Sequence, residues 1–437
     1  MTQSSTIVAL SSGALPSGVA VIRLSGPRAF PAVAALVGDL PPPRHLTLRS
    51  LTAPESGQPL DTGLIAIFPA PHSFTGEDCA ELQVHGSPAG VKAILTALTA
   101  FEGIALAGPG DFTRRAFENG KLDLVAIEGL GDLLAAETET QRRQALARLD
   151  GQLSEQIILW RVLLLDARAE IEARLDFSDE DDVPFELPAH FVSDLELLQA
   201  ALAESLAGYE RGRIAREGFR IVLAGAPNAG KSSLLNRLAG SDLAIVTAEA
   251  GTTRDTKDVS IDLGGQLVTL TDTAGLRDTD SLAEAEGVRR ARKAMHAADL
   301  VLWLSAPDAV SDPDADQSAA PIWRIATKAD LGPPAQEAQF SVSTQTGEGL
   351  EPLLNALKTH IEARLGPSEP SLVSHMRDKA ALEAAIAAIG TALARLDQPE
   401  LCAEDLRRAA DGLAGLIGLM DSEAVLDRLF AGFCIGK

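Results

Sequence analysis

The stretch Gly225-Ala-Pro-Asn-Ala-Gly230-Lys231-Ser232 constrains the fold of this chain more than any other. It fits G-x-x-x-x-G-K-[ST], a pattern that works only where a buried strand passes through a short glycine-rich loop into a helix. The flanks agree, because Phe219 to Leu223 reads as a buried strand and an amphipathic helix follows the loop. The glycines let backbone N–H groups turn toward phosphate oxygens at a helix N-terminus. Lys231 adds positive charge at the β- and γ-phosphates, and Ser232 offers a magnesium ligand.

Three further motifs follow in the order a GTPase needs. Thr253, in the polar loop Gly251-Thr252-Thr253-Arg254-Asp255, is placed to complete the magnesium shell and close over the γ-phosphate. After a strand at Leu267–Leu270, Asp272-Thr273-Ala274-Gly275 brings a carboxylate near the magnesium and a glycine N–H near the γ-phosphate. After a strand at Ile322–Ala326, Asp330 of Thr327-Lys328-Ala329-Asp330 can accept hydrogen bonds from both N1 and N2 of guanine, a donor pair that adenine lacks. Ras-like enzymes place a water-orienting glutamine just after Asp-x-x-Gly. Here that position is Leu276, so another group must position water; no arginine finger can be named from spacing alone, which leaves a bound cation as one candidate to offset the transition-state charge.

At 437 residues the chain exceeds the size at which one core keeps growing, so two or three domains are expected. Lys+Arg 38 against Asp+Glu 61 leaves a net charge of −23, which argues against indiscriminate attraction to nucleic-acid phosphates or anionic membranes. With 4% aromatic residues and Tyr209 the single tyrosine, an aromatic platform for single strands is also excluded. Cys79, Cys402 and Cys434 are too few and too scattered for a disulfide framework or a four-ligand zinc site. The first basic residue, Arg23, comes too late for a signal peptide, and no membrane span is visible, so a cytoplasmic protein is expected.

The charge is uneven, since residues 1–115 hold only 7 basic and 8 acidic residues. Short β-like runs there, at Thr6–Leu10, Gly18–Leu24, Gly63–Phe68 and Cys79–His85, with a helix at Ala89–Thr99, give an α+β pattern. From Arg142 onward Leu146, Leu149, Leu153, Ile157, Trp160, Leu164, Ala167, Ile171 and Leu175 step by three or four, which predicts one long helix. The acidic cluster Asp176, Asp179, Glu180, Asp181, Asp182 and Glu186 reads as a solvated loop or helix end. A second helix uses Leu195, Leu198, Leu202, Leu206 and Tyr209, and the chain is helical again after about residue 370. Neither helical set closes a core alone, so the simplest fold packs them together, with residue 217 to about residue 370 inserted between them.

These motifs, with Thr6-Ile-Val-Ala, Arg23-Leu-Ser-Gly, Phe74-Thr-Gly-Glu-Asp, Lys121-Leu-Asp-Leu and Phe433-Cys434-Ile435-Gly436-Lys437, resemble the bacterial tRNA-modification GTPase family MnmE/TrmE along essentially the full length. The resemblance implies a multidomain α+β and α/β protein. Its parts are an N-terminal folate-binding and dimerisation domain (1–118), a helical domain from two segments (119–216 and 371–437), and an inserted Ras-like GTPase domain (217–370). It implies a homodimer that joins an FAD-dependent partner of the MnmG/GidA type in a heterotetramer. Together they add an aminomethyl or carboxymethylaminomethyl group at C5 of the wobble uridine of certain tRNAs. The implied cofactors are GTP, Mg2+, K+ and a reduced folate, as 5-formyl- or methylene-tetrahydrofolate.

Carried over by position, Arg23, Glu81, Lys121 and Lys437 match the folate-binding residues. Asn228, Thr247, Glu249 and Thr252 match a potassium site that stands in for an arginine finger, and Glu284 matches a glutamate that orients water. Lys231, Thr253 and Asp272 join Glu284 as the catalytic group, with Ser232 and Thr253 on magnesium. The GTP contacts expected beyond these are Ala229, Gly230, Ser233, Ala248, Ala250, Gly251, Thr273, Ala274, Gly275, Thr327, Lys328, Asp330, Ser343 and Thr344. Cys434 is a candidate reactive thiol in the terminal motif.

Three departures from the family pattern stand out: Thr327 in place of Asn, Ser343-Thr344 in place of Ser-Ala, and a Gly13–Gly18 loop without the family's arginine and paired glycines. The alternative function is a ribosome-assembly GTPase that binds rRNA, although no basic RNA-binding run is visible.

Overall fold

A computed structural model describes residues 5–176, 186–245, 258–272, 292–308, 320–333, 337–366, 371–419, 430, 432, 433 and 436. The chain divides into two compact units. One comprises Met1–Gly131, Ser154–Arg161 and Asp411–Lys437, and the other Asp132–Leu153 and Val162–Ala410.

In the first unit, alternating burial builds β1 (Thr6–Leu10), β2 (Ser17–Ser25), β3 (Thr47–Thr52), β4 (Pro59–Phe68), β5 (Cys79–Gly86) and β6 (Ile104–Leu106). They form one sheet in the order β3-β4-β5-β2-β1-β6, antiparallel except where β1 runs parallel to β6. One face carries α1 (Ala29–Val37) and α2 (Pro88–Thr99), whose Val33, Leu36, Ile94 and Leu98 join Ile22, Leu24, Ile65 and Leu82 in a closed core. Each such side chain stabilises the unit by about 1.5–3 kcal/mol relative to exposure. Ser87 caps α2 by accepting from Gly90 N at 3.4 Å, and Pro88 opens the first turn. On the other face Ile7 and Ala9 of β1 pack with Phe112 of α3 (Asp111–Glu118), while Leu124 and Ile127 of α4 (Leu124–Ala135) pack with Phe430.

The second unit holds α5 (Glu139–Leu149), most of α6 (Gln152–Asp176), α7 (Phe191–Ala207) and α8 (Tyr209–Glu217), followed by a second sheet. Its strands are β7 (Phe219–Gly225), β8 (Asp258–Asp262), β9 (Leu267–Asp272), β10 (Leu300–Ser305), β11 (Ile322–Ala326) and β12 (Phe340–Ser341). The order β12-β11-β10-β7-β9-β8 is parallel throughout, apart from the β8–β9 hairpin. The core of this sheet is Ile221, Leu223, Leu270, Leu302 and Leu304, packed with Leu234 and Leu238 of α9 (Lys231–Ala239) and Leu357 and Ile361 of α10 (Leu350–Leu365). Two further helices are α11 (Met376–Leu393) and α12 (Pro399–Leu416), and α7 packs on α11, where Gln199 Nε2 donates to Ile386 O at 2.9 Å.

The single long helix expected from Arg142 to Leu175 is corrected to two, because Gly151, at φ 87°, turns the chain between α5 and α6. In α6 the periodic positions Leu153, Ile157, Leu164 and Ile171 are buried as predicted. In α5 the periodicity misleads. Leu146 is exposed, whereas Gln141, Gln144 and Arg148 are buried.

That polar face binds backbone carbonyls: Gln141 Nε2 donates to Arg216 O at 2.8 Å, and Gln144 Nε2 to Gly212 O at 3.0 Å and Ser371 O at 2.6 Å. Arg148 Nη1 reaches Asp378 Oδ2 at 2.7 Å and also donates to Leu372 O. Of the acidic cluster, Asp179 to Asp182 lie outside the described residues. Among the described residues no helix is long and apolar enough to cross a membrane.

Candidate functional site

Parallel α/β sheets bind ligands beyond the carboxyl ends of their strands, and the phosphate loop, Asp272 and the Thr327–Asp330 motif lie at that end of the second sheet. β7 ends at Gly225, whose φ of 131° suits glycine. A Cβ there would stand 2.1 Å from Leu304 O on the neighbouring strand, so only hydrogen fits. Asn228, at φ 63°, and Gly230, at φ 85°, turn the loop into the first turn of α9. Asn is one of the few residues that tolerate this region.

Lys231 is buried, and its Nζ donates to Gly225 O at 2.8 Å and Ala226 O at 2.7 Å. The β7–β9 register pairs Leu223 with Asp272, which sets the buried Asp272 carboxylate beside the helix N-terminus. There it accepts from Ser232 Oγ at 2.5 Å. A hydroxyl and a carboxylate oxygen, donor types suited to a hard divalent cation, thus meet at the N-terminus of α9. Ala229 is buried beneath the loop, and Ser233 faces outward.

The next strand ends carry the base-recognition residues. Thr327 is buried with its Oγ1 2.7 Å from Ala229 O and 3.0 Å from Ser305 O, so the threonine that replaces Asn ties this motif to the phosphate loop. Asp330 Oδ1 accepts from the buried Ser343 Oγ at 2.6 Å, which fixes the carboxylate's rotation. Thr344 follows in the same turn, half-buried. Lys328, at φ 54°, holds Asp308 with both carboxylate oxygens, at 2.7 and 2.8 Å. Asp308 escaped the sequence reading because no motif contains it.

Thr247, Ala248, Glu249, Ala250, Gly251, Thr252, Thr253, Thr273, Ala274, Gly275, Leu276 and Glu284 lie outside the described residues.

In the first unit, the β2–β5 register places Arg23 directly opposite Glu81. Arg23 Nε and Nη2 both reach Glu81 Oε1, at 3.0 and 2.9 Å, and the guanidinium lies 5.5 Å from the Phe74 ring centre and 5.9 Å from that of Phe112. The stem of Lys121 runs against Gly76, in the same Phe74–Asp78 loop, where a Cβ would stand 3.2 Å from Lys121 Cε. The structure therefore gathers Arg23, Glu81 and Lys121 around one loop.

A network the sequence did not reveal holds that loop: Ser25 Oγ and Arg115 Nη1 each reach Glu77 Oε2 at 2.7 Å, and Ser25 Oγ lies 2.7 Å from Thr75 Oγ1. Gly436, at φ 96°, docks against the end of β1, where Ser11 Oγ donates to its carbonyl at 2.7 Å. Cys434 and Lys437, on either side of it, lie outside the described residues. An apolar groove of about 610 Å³ between α2 and the β3–β4 turn is lined by none of these residues.

Two family profiles match the chain: one described as GTP-binding protein TrmE N-terminus, over residues 6–121, and one described as MnmE helical domain, over residues 124–434. Among curated proteins, the tRNA modification GTPase MnmE of Azorhizobium caulinodans is 50% identical over 440 residues, covering 100% of both chains. That of Rhizobium meliloti is 49% identical over 441 residues, again covering 100% of both. That of Brucella canis is 48% identical, covering 99% of this chain and 98% of that one.

Among solved structures, the G domain of the Thermotoga maritima FeoB iron transporter is 24% identical, covering 33% of this chain and 98% of that chain at a TM-score of 0.24. Aquifex aeolicus Era bound to GDP and aluminium fluoride is 21% identical, covering 39% and 66% at a TM-score of 0.27.

Proposed function

This chain belongs to the MnmE family of tRNA modification GTPases, and from that premise we propose that it hydrolyses GTP in the service of tRNA modification. The observation that carries the reading is the convergence of the Ser232 hydroxyl and the Asp272 carboxylate at the N-terminus of α9. The pair fits a Mg2+ site in which Ser232 and Thr253 would be the direct ligands and Asp272 would hold Ser232 from behind. Bound there, Mg2+ neutralises β- and γ-phosphate oxygens.

The chain's own groups supply the rest. Backbone N–H groups of Asn228 to Ser233 orient the phosphates, Lys231 places its ammonium at the bridging edge, and Asp330 selects guanine. Leu276 has no polar side chain to orient the attacking water, and Glu284 takes that role by its match to the family's water-orienting glutamate. Asn228, Thr247, Glu249 and Thr252 form the K+ site whose fixed charge replaces an arginine finger. Of the four, Asn228 lies among the described residues, with its side chain at the exposed edge of the phosphate loop.

Arg23, Glu81 and Lys121, with Lys437, hold a reduced folate that supplies a one-carbon unit. The cluster around the Phe74–Asp78 loop supports this, since it joins cations, a carboxylate and two aromatic rings. In this reading residues 1–118 dimerise, 119–216 and 371–437 form the helical domain, and 217–370 are the GTPase domain. A homodimer works with an FAD-dependent partner in the cytoplasm to modify C5 of the wobble uridine of tRNA.

Mass analysis of tRNA nucleosides from cells with and without the gene tests the activity, and an unchanged wobble uridine refutes it. Hydrolysis in KCl against NaCl at matched ionic strength tests the cation site, with equal rates as the refuting result.

A further inference from the structure

The last residue of β10 and the loop after it grip the base-recognition motif at two successive residues. Ser305 O accepts from Thr327 N at 2.8 Å, and three residues later Asp308 takes the Lys328 ammonium on both carboxylate oxygens. Lys328 sits in the left-handed region, at φ 54°, which costs a residue with a side chain and persists only where the surroundings fix it. That hydrogen bond also holds the Asp308 carboxyl below its ordinary range.

The consequence concerns Asp330. Its carboxylate must stay open to two donors from guanine, yet Lys328 places an ammonium two residues away. Ser343 engages one oxygen of Asp330 and fixes its rotation without adding charge. An untethered ammonium is a stronger competitor, because charge-assisted hydrogen bonds outweigh neutral ones.

We propose that Asp308 is a positioning residue for base selection: it anchors Lys328 as the wall of the guanine pocket and keeps its ammonium off Asp330. The proposal rests on the guanine reading given above. Asp308 touches no nucleotide atom in this scheme and acts through Lys328.

The test uses the full chain with Asp308→Asn and Asp308→Glu. Affinities for GDP, IDP and ADP are read by displacement of a fluorescent guanine nucleotide, alongside GTP turnover. IDP lacks the N2 amino group, so it depends on one Asp330 oxygen fewer than GDP does. The pair is partly exposed, which keeps the expected effect modest.

The Asn variant is expected to bind GDP about fivefold more weakly and IDP nearly as before, so that the GDP:IDP ratio falls. KM for GTP rises while kcat at saturation holds, and the Glu variant recovers most of the ratio. An unchanged GDP:IDP ratio, or equal losses for both nucleotides together with a fall in kcat, overturns the proposal. A wild-type chain that binds GDP and ADP alike overturns the guanine reading and the proposal with it. Should the Asn variant fail to fold, high salt applied to the wild type screens the same pair, and the GDP:IDP ratio cancels the general effect of salt on phosphate binding. A ratio that is flat in salt then counts against Asp308.

Discussion

Replacing Arg148 by Met isolates the energetics of the polar face of α5. The guanidinium is fully buried and lies 2.7 Å from Asp378, itself 1% exposed. Met keeps the volume and removes the charge, leaving a carboxylate in the interior with two backbone donors, Ser374 N at 3.2 Å and His375 N at 3.1 Å. An orphaned buried charge of this kind costs about 3–5 kcal/mol. The double variant Arg148→Met/Asp378→Leu removes the charge as well; beyond the Leu372 carbonyl, which loses its donor in both variants, it strands two neutral N–H groups, at about 1–3 kcal/mol each. Since replacing a whole buried pair by apolar side chains costs less than breaking it, the double variant should be the more stable of the two.

Unfolding of a multidomain chain is not one transition, so the readout is hydrogen exchange of the α5 amides and of residues 371–378. The single variant is expected to exchange roughly 150 to 5,000 times faster than wild type there, and the double variant less.

The sign of the pH dependence can be worked out. Burial pushes the Asp378 carboxyl up, but the charge and hydrogen bond of Arg148, followed by His375, outweigh it, so its pKa lies below the ordinary 3.8. In the wild type this stabilisation is present above that value and is lost as pH falls through the lower, folded one. In Arg148→Met burial dominates and the carboxyl shifts upward, so the penalty should shrink as pH drops toward 5. A single variant within tenfold of wild type, or a double variant that exchanges faster than the single, refutes the reasoning.

Three other predictions follow from the second unit. Ser343→Ala frees the rotation of Asp330 and should weaken GDP binding about tenfold with little change in kcat, measured by nucleotide titration and turnover. Burial, then Arg364, depresses the pKa of His360, which packs against Phe219 and Trp323, so it is neutral in the fold. Its contribution is therefore present above the unfolded value near 6.5 and lost as pH falls below it. Protection factors of the β7 and β11 amides, which remove the intrinsic slowing of exchange at lower pH, should fall between pH 7.5 and 5.5, and His360→Phe should flatten that dependence. Burial, then Asp405, pushes the Cys402 thiol up to about 11, so native protein at pH 7.5 should leave Cys402 unalkylated while denatured protein modifies it fully.

What the sequence made legible follows a physical pattern. The phosphate loop, the Asp272 strand end and the Asp330 motif are local: each depends on a strand, a turn and a helix start that a few adjacent residues dictate, and β7 and α9 fall where those residues place them. Arg23 with Glu81 came from resemblance alone, because their pairing depends on register between strands 58 residues apart. α5 was misread because hydrophobic periodicity assumes an apolar buried face, whereas here Gln141, Gln144 and Arg148 are buried to satisfy carbonyls from segments distant in sequence. The break at Gly151 was written in the sequence, yet a leucine spacing that continued across it concealed the turn. Asp308 and Arg115 gave no signal, since each acts through one long-range partner rather than a motif.

The docking of Gly436 on the end of β1 also sets an order of events during synthesis. A Cβ at Gly436 would stand 2.3 Å from Leu10 O, so the fit belongs to the finished first unit rather than to a loose tail. Yet Leu10 leaves the ribosome well before Gly436, which follows only after the whole second unit has been made. At 5–20 residues per second, roughly 300 intervening residues keep the first unit waiting for about 15–60 s. Through that interval its β1 end and the Gly110 pocket for Phe430 stand uncovered. A nascent chain stalled in the second unit would therefore expose the same surface to chaperones and proteases, and only synthesis through Gly436 would withdraw it.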